Sequence, residues 1–510
     1  LFKNPDKETV LTPWRVVNMH GITTLGGLSF FDKDFQNHTV DGQPVYRWVD
    51  NFNTQEIYTE RTTFLDMNSK TGLYPLFVAT SLYQKLFEKL NDQKAGRVNS
   101  VELIELWERV LKKNVFAIAK TPMAKTITER TLAGYKGYST NVVYVEDLTK
   151  QLKESVDKGV NSIKEAFYGV KFDVIISNPP YQEMDGGAQA SASPIYQKFV
   201  KAGKDLNPRY MTQITPSRWY VGGKGLEDYR DEMLNDPRLR ELHDWLTPDD
   251  IFPRTNIRGG ICYFLWDRDY DNNKNLTRVV TYEDNKIIDD VMRSMKIEGV
   301  DIFVRDSRAL DILRKIYTVN GDDWLSHFTS PLKPFGFRGY FIKDSRFHVD
   351  TLGLDDPVKC YGKGTIGYVE RKDIATRTEW INLWKVYTAR ANNIGTELND
   401  DNLNAIVGEP NSICTETYIV LGAELMLDEK SAINMTKYLK TKFVRYLHGL
   451  SKGSQDATAK TYRFVPIQDF SNNSDIDWSK PITLLDKQLA EKYKLDINEA
   501  QHIDNRIKDM

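Results

Sequence analysis

Residues 172–181 read Phe-Asp-Val-Ile-Ile-Ser-Asn-Pro-Pro-Tyr. The run 172–176 has the pattern of a short, buried strand, and the prolines set where it must end. Neither Pro179 nor Pro180 has a backbone N–H, so a hydrogen-bonded ladder cannot continue through them. In an open α/β sheet, the space beyond the carboxyl end of a parallel strand is where ligands bind. The chain places an amide, a rigid turn and an aromatic ring at that point: Asn178, Pro179, Pro180 and Tyr181.

Strands of five or six residues alternate with helical patterns around this stretch, which predicts a doubly wound, mostly parallel sheet. A strand over 63–66 ends at Asp66 and is followed by a polar turn with Gly72, then a helix over 76–90. The amides at such a helix start suit an anionic or carboxylate group, although a turn of this kind is also just a helix start. Further elements are predicted as a helix over 101–111, strands over 114–119 and 141–145, and a helix over 152–167. Residues 122–138 are polar and give no clear pattern. Residues 184–193 are small and polar and read as a mobile loop, after which Pro194 opens a helix to about 206. Strands over 210–214, 239–246 and 261–266 complete the sheet, the last two as a hairpin at its edge.

At 510 residues the chain is too long for one core. The texture changes near residue 330. This gives expected divisions at 1–328, at 329–425 as an irregular β-rich module, and at 426–510 as a basic helical segment. No apolar run is long enough to span a membrane. Cys262, Cys360 and Cys414 are scattered without metal-ligand spacing, so no metal site is expected and a reduced cytoplasmic setting is the natural reading. The net charge is −2, yet residues 430–463 carry eight Lys and Arg against one acid, Asp456. On charge alone, a solvated helix face explains that stretch as well as a phosphate footprint does.

Asn178-Pro179-Pro180-Tyr181, behind a strand of this form, resembles the S-adenosylmethionine-dependent DNA methyltransferases that act on the exocyclic amine of adenine. The order of the motifs is similar to that of the gamma class from bacterial restriction-modification systems, with the cofactor motifs first, the turn next and target recognition last. The resemblance implies a Rossmann-like methyltransferase fold followed by a mixed α+β recognition region. It also implies cofactor roles for Thr12, Pro13, Asp66, Lys70, Gly72, Asp147, Ile195 and Tyr196. Met67 and Lys70 depart from the family's pattern at the glycine turn, and Ala119-Lys120 stand where a ribose-binding acid is usual.

For the catalytic turn, the resemblance implies that the Asn178 side-chain oxygen and the Pro179 carbonyl accept the two amine N–H groups. Tyr181 would stack on a flipped-out base. Double-stranded DNA is the implied partner, together with a restriction endonuclease subunit or domain. Base-edge candidates are Arg338, Arg346, Arg371, Lys372, Arg377 and Arg390. Phosphate candidates are Lys440, Lys442, Arg445, Lys452 and Lys460. Two alternatives stand beside this reading. One is the modification part of a combined nuclease-methyltransferase, with Asp350 and Glu370-Arg371-Lys372 faintly like a nuclease pattern, or with a nuclease upstream of Leu1. The other is a DNA-binding module with a degenerate cofactor site.

Overall fold

The computed structural model describes residues 11–183, 193–255, 257, 259–271, 275–392, 394, 401–452 and 456–510. The predicted loop over 184–193 lies almost wholly outside the described residues. The chain divides into two compact units, residues 1–303 and 304–510. The division falls earlier than residue 328, where the sequence texture changes.

The first unit is built on a nine-stranded sheet. Its strands are β1 (Phe64–Ser69), β2 (Val115–Ala119), β3 (Asn141–Tyr144), β4 (Val174–Ser177), β5 (Tyr210–Pro216), β6 (Leu239–Trp245), β7 (Ile261–Asp267), β8 (Thr277–Glu283) and β9 (Lys286–Arg293). The spatial order is β9-β8-β6-β7-β5-β4-β1-β2-β3. Strands β3, β2, β1, β4 and β5 pair in parallel. β7 runs antiparallel to both of its neighbours, β5 and β6. The fold is thus α/β with a mostly parallel, doubly wound sheet, as the alternation of patterns predicts.

The inner strands β1, β2, β4, β5 and β7 are buried on both faces, which favours apolar residues along them. Alternate residues serve opposite cores. On β4, Val174 and Ile176 join one core with α1 (Trp14–Leu25), α2 (Leu73–Gln93) and α3 (Ser100–Lys113), while Ile175 joins the other. That second core takes in α5 (Leu148–Glu154), α6 (Val156–Ala166), α7 (Tyr196–Asp205) and α8 (Glu227–Asn235). On β7, Tyr263 and Leu265 face the first core, and Cys262 and Phe264 face the second.

Four expectations need correcting. Residues 122–138 contain a helix, α4 (Pro122–Ala133), capped by Thr121 and opened by Pro122. Its buried positions Ala124, Thr128 and Leu132 are too small and too sparse to show as an apolar stripe. The expected helix over 152–167 is two helices, broken at Ser155, which is extended (φ −157°) and caps α6. Pro194 does not open α7. Ser193–Pro194 pairs antiparallel with Gln182–Glu183, and the helix begins at Tyr196. Finally, β6 and β7 are antiparallel but interior. The edge belongs to the hairpin β8–β9, which turns at Asp284 and Asn285, both with positive φ as a two-residue hairpin turn requires.

The second unit begins with α9 (Ala309–Asn320). Two three-stranded sheets follow, then the helices α10 (Glu429–Lys440), α11 (Lys442–Leu450), α12 (Ile482–Lys492) and α13 (Ile497–Arg506). The β-rich stretch surrounds a core of Phe335, Phe337, Phe341, Val358, Ile413 and Val420. All three cysteines are buried and free. Among the described residues, no helix is long and apolar enough to cross a membrane.

Gly72 caps the start of α2 with φ +78°. A Cβ there would stand 2.9 Å from the Thr131 Cβ and 3.1 Å from the Thr128 Cα on α4. Gly72→Ala is therefore expected to cost about 1–3 kcal/mol, from left-handed strain and crowding together. Thermal unfolding would show a melting temperature lower by several degrees; an unchanged value would mean that α4 yields without penalty.

Candidate active site

In the order β3-β2-β1-β4-β5, the chain builds outward from β1 to β3 and then returns to place β4 on the other side of β1. The sheet's switch point therefore lies between the carboxyl ends of β1 and β4, the position at which such sheets bind ligands. β1 delivers Asp66, Asn68 and Ser69 there, and β4 delivers Ser177 and Asn178. A cleft opens at this point. It is lined by Thr12, Val17, Asp66, Asn68, Ser69, Lys70, Thr71, Gly72, Leu73, Tyr74 and Asn178. Five residues marked in the sequence meet here: Thr12, Asp66, Lys70, Gly72 and Asn178.

Asn178 is buried, at 4% exposure, and it is held on two sides. Its backbone carbonyl accepts a 2.7 Å hydrogen bond from Asn68 Nδ2. Its side-chain Nδ2 donates to Thr12 Oγ1 at 2.8 Å. Its Oδ1 is buried without a hydrogen-bond partner among the described residues. An acceptor buried in this way costs roughly 1–3 kcal/mol, a cost that a donor supplied by a ligand would offset.

Asp66 is buried as well. Loss of hydration pushes its carboxyl up to about 7, although the Asn68 N–H, Ser69 and the Lys70 charge all pull it down. The N–H bond from Asn68 is 3.1 Å long. The turn after β1 is fixed from α4, where Thr131 Oγ1 donates to the Thr71 carbonyl at 2.7 Å and Thr128 bonds Ser69 at 3.0 Å. The start of α2 has no side-chain cap, which leaves its first amides open towards the cleft.

Residues 113–252 match the Eco57I restriction-modification methylase family. That stretch contains β2 to β6 and the whole Asn178–Tyr181 turn, and it bears out the resemblance carried by those four residues. A protein of Mycoplasma pneumoniae described as an uncharacterized adenine-specific methylase is 34% identical over 143 residues, 26% of this chain. The chain spans about a third (34%) of that relative's length. Among solved structures, the Type IIL restriction-modification enzyme MmeI with DNA aligns at 9% identity and TM-score 0.45, over 79% of this chain and 62% of that one. A nuclease-deletion mutant of the Type ISP enzyme LlaGI, with a DNA substrate mimic, aligns at 10% identity and TM-score 0.46, over 88% and 52%.

The remaining marked residues of the first unit stand outside the cleft lining. Pro13 is the amino-terminal cap residue of α1. Pro179 and Pro180 are buried. Tyr181 is half-buried, with its ring edge-on to Phe252 at 6.3 Å. Its backbone carbonyl accepts from the Ile195 N–H at 3.2 Å, which ties the turn to the start of α7. Ile195 and Tyr196 are buried in the second core. Asp147 is exposed at the carboxyl end of β3, in a left-handed conformation (φ 50°).

Sequence reasoning passed over Asn68 and Tyr74. Asn68 looked like a turn former because β1 was expected to end at Asp66. Tyr74 is backed by His20, whose Nδ1 meets the Tyr74 hydroxyl at 2.8 Å and whose Nε2 meets Thr212 Oγ1 at 2.6 Å. Burial lowers His20 to about 3, so it is a neutral strut.

In the second unit the basic stretch is not one surface. Arg445, expected to contact phosphates, is 2% exposed and donates to the carbonyls of Thr441, Asp401 and Lys508; it is an interior tie. The helix is enclosed on all sides from Phe443 to His448, so Arg445 is buried with its neighbours. Lys442 is paired with Asp504 and Asp509, at 2.7 and 2.8 Å, and Lys452 bonds Asn392. Arg338 and Arg390 share Glu416, Arg346 pairs with Asp344, and Arg371 pairs with Asp356. Arg377 donates to the Pro334 carbonyl at 3.0 Å. Lys372 and Lys460 are exposed and Lys440 is half-buried. Glu370 accepts the Asp355 and Asp356 N–H groups and so serves as a turn cap.

Asp66 makes stability depend on pH. Its carboxyl ionises near 3.8 in the unfolded chain and near 7 in the fold. Its contribution is therefore fully present at low pH and is lost as pH rises through that window, by at most about 4 kcal/mol. Asp66→Asn removes the titration. The melting temperature of this variant relative to the parent protein is expected to climb between pH 4 and pH 8; a constant difference would show that Asp66 is ionised throughout.

Proposed function

We propose that the chain is an S-adenosylmethionine-dependent methyltransferase of the gamma class. In this reading it acts on the exocyclic amine of a flipped-out adenine in a specific duplex DNA sequence, as the modification activity of a restriction-modification system. The observation that carries this is the buried, unpartnered Asn178 Oδ1 at the Asn-Pro-Pro-Tyr turn, beside a cleft at the switch point. An acceptor there is matched by an N–H donor from outside. The two amine hydrogens of adenine are such donors, taken by Asn178 Oδ1 and the Pro179 carbonyl.

Accepting both hydrogens orients the nitrogen lone pair and favours its change towards a tetrahedral centre. Such positioning can supply several kcal/mol of the barrier. Tyr181 offers its ring face to the extruded base, and the edge-on Phe252 holds that ring in place.

The cleft residues fit the methyl donor. The open amides at the start of α2 suit a carboxylate, and Asp66, held partly neutral by burial, regains its ionised form beside a cation. Thr12, Lys70 and Gly72 complete that wall, with Asp147, Ile195 and Tyr196 assigned to the donor's adenosine side. When bound, the donor supplies a methyl group already activated on a sulfonium. The second unit is assigned to target recognition, with the exposed Lys372 as a base-edge candidate and the exposed Lys460 as its clearest phosphate contact.

Labelled-methyl transfer to mixed duplex DNA, followed by nucleoside analysis, tests the whole reading. Label in N6-methyladenine is expected. Asn178→Ala should abolish transfer while calorimetric binding of the donor stays near that of the parent; transfer at the parent's rate would remove Asn178 from its role. DNA affinity is expected to fall steeply with salt, and Lys460→Ala should reduce the slope by about one. A flat salt response would count against duplex DNA as the partner.

A further inference from the structure

A primary amide has an acceptor on one branch and donors on the other, with nearly the same shape. Shape alone therefore does not decide which branch of Asn178 faces a ligand; its partners must. Asn68 and Thr12 hold this residue by hydrogen bonds, and the Tyr181 hydroxyl lies against its side chain. Asn68 Nδ2 pins the backbone carbonyl at 2.7 Å, which fixes where the side chain starts. Thr12 Oγ1 receives the side-chain Nδ2 at 2.8 Å, and Oδ1 is left as the buried atom without a partner. Thr12 itself stands just before α1 and lines the cleft, 166 residues away in sequence.

We propose that Thr12 is a positioning residue for Asn178. A hydroxyl can bond either branch of an amide; with its own proton turned away it holds Nδ2, and the acceptor is presented to an incoming amine. This rests on the methyltransferase reading and goes beyond the cofactor role that the resemblance gives Thr12. With its oxygen accepting from Asn178 Nδ2, Thr12 has its single hydroxyl proton directed away from that N–H. The wall that holds the methyl donor and the turn that holds the base thus share one side chain. Without it, the amide is free to turn, and the flipped orientation offers an N–H to an N–H.

Thr12→Val keeps the shape and removes the hydroxyl, and Thr12→Ser restores it. At saturating donor, Thr12→Val is expected to lower kcat about tenfold, as suits the loss of one net hydrogen bond, with KM for DNA nearly unchanged. Thr12→Ser should stay within about twofold of the parent. A second readout needs no turnover. In protein labelled with 15N-asparagine, the Asn178 side-chain amide signal, identified by its loss in Asn178→Asp, should be protected from exchange in the parent and in Thr12→Ser and unprotected in Thr12→Val. A Thr12→Val enzyme with an unchanged kcat and only a raised KM for the donor would overturn the proposal. So would an Asn178 amide signal that is indifferent to Thr12. Failure of the unaltered protein to methylate DNA would instead sink the methyltransferase reading, and the amide signal would still decide whether Thr12 orients Asn178.

Discussion

One hydrogen bond, from Asn68 Nδ2 to the Asn178 carbonyl, ties together the ends of the two strands that flank the switch point. Those ends are adjacent because β1 and β4 are parallel neighbours, and parallel pairing requires their connecting helices to lie on the faces of the sheet. The two buried cores are therefore the setting for that bond. The prolines after Asn178 end the β4 ladder, so the amide stands at the rim and not within the sheet. Loss of the Asn68 contact would leave each strand end intact but uncouple the wall of the cleft from the turn.

The site is also where the fold tolerates poorly satisfied groups. Asp66 is held near 7 by burial, and Asn178 Oδ1 has no partner among the described residues. Elsewhere, buried charge is answered within the chain. Arg445 has three carbonyls, and Lys385 donates to the carbonyls of Ile381, Leu383 and Glu409.

Much of this arrangement is legible in the sequence. The strands over 63–66, 114–119, 172–176 and 210–214 show because both of their faces are buried, so apolar residues cluster in short runs. Asn178, Gly72, Asp66 and Thr12 show because a strand end, a glycine turn and a proline punctuate the chain around them. Helix α4 does not show, since its inner face is alanine and threonine packed close against the turn after β1. Asn68 does not show because a polar residue inside a strand reads as the end of that strand. Arg445 misleads because composition counts charge without saying which way a helix turns it. The β8–β9 hairpin is hidden because β9 is an edge strand, with Lys286, Asp289 and Asp290 where an inner strand would be apolar.

The position of β7 has a consequence for how the chain reaches this state. β7 fits between β5 and β6, which both precede it in sequence, and is antiparallel to each. As the chain is synthesised, β6 emerges with no earlier strand to pair with, since its place beside β5 is reserved for a segment not yet made. β8 and β9 build on β6 in turn. The sheet can thus grow from β1 through β5 in order but cannot extend further until residues 261–267 appear, and β6 must wait with its apolar side chains uncovered. Pairings of this kind, closed late and across long separations, are slow and open to association with other chains. The segment most exposed to misfolding is therefore remote from the chemistry, on the opposite flank of the sheet from β1.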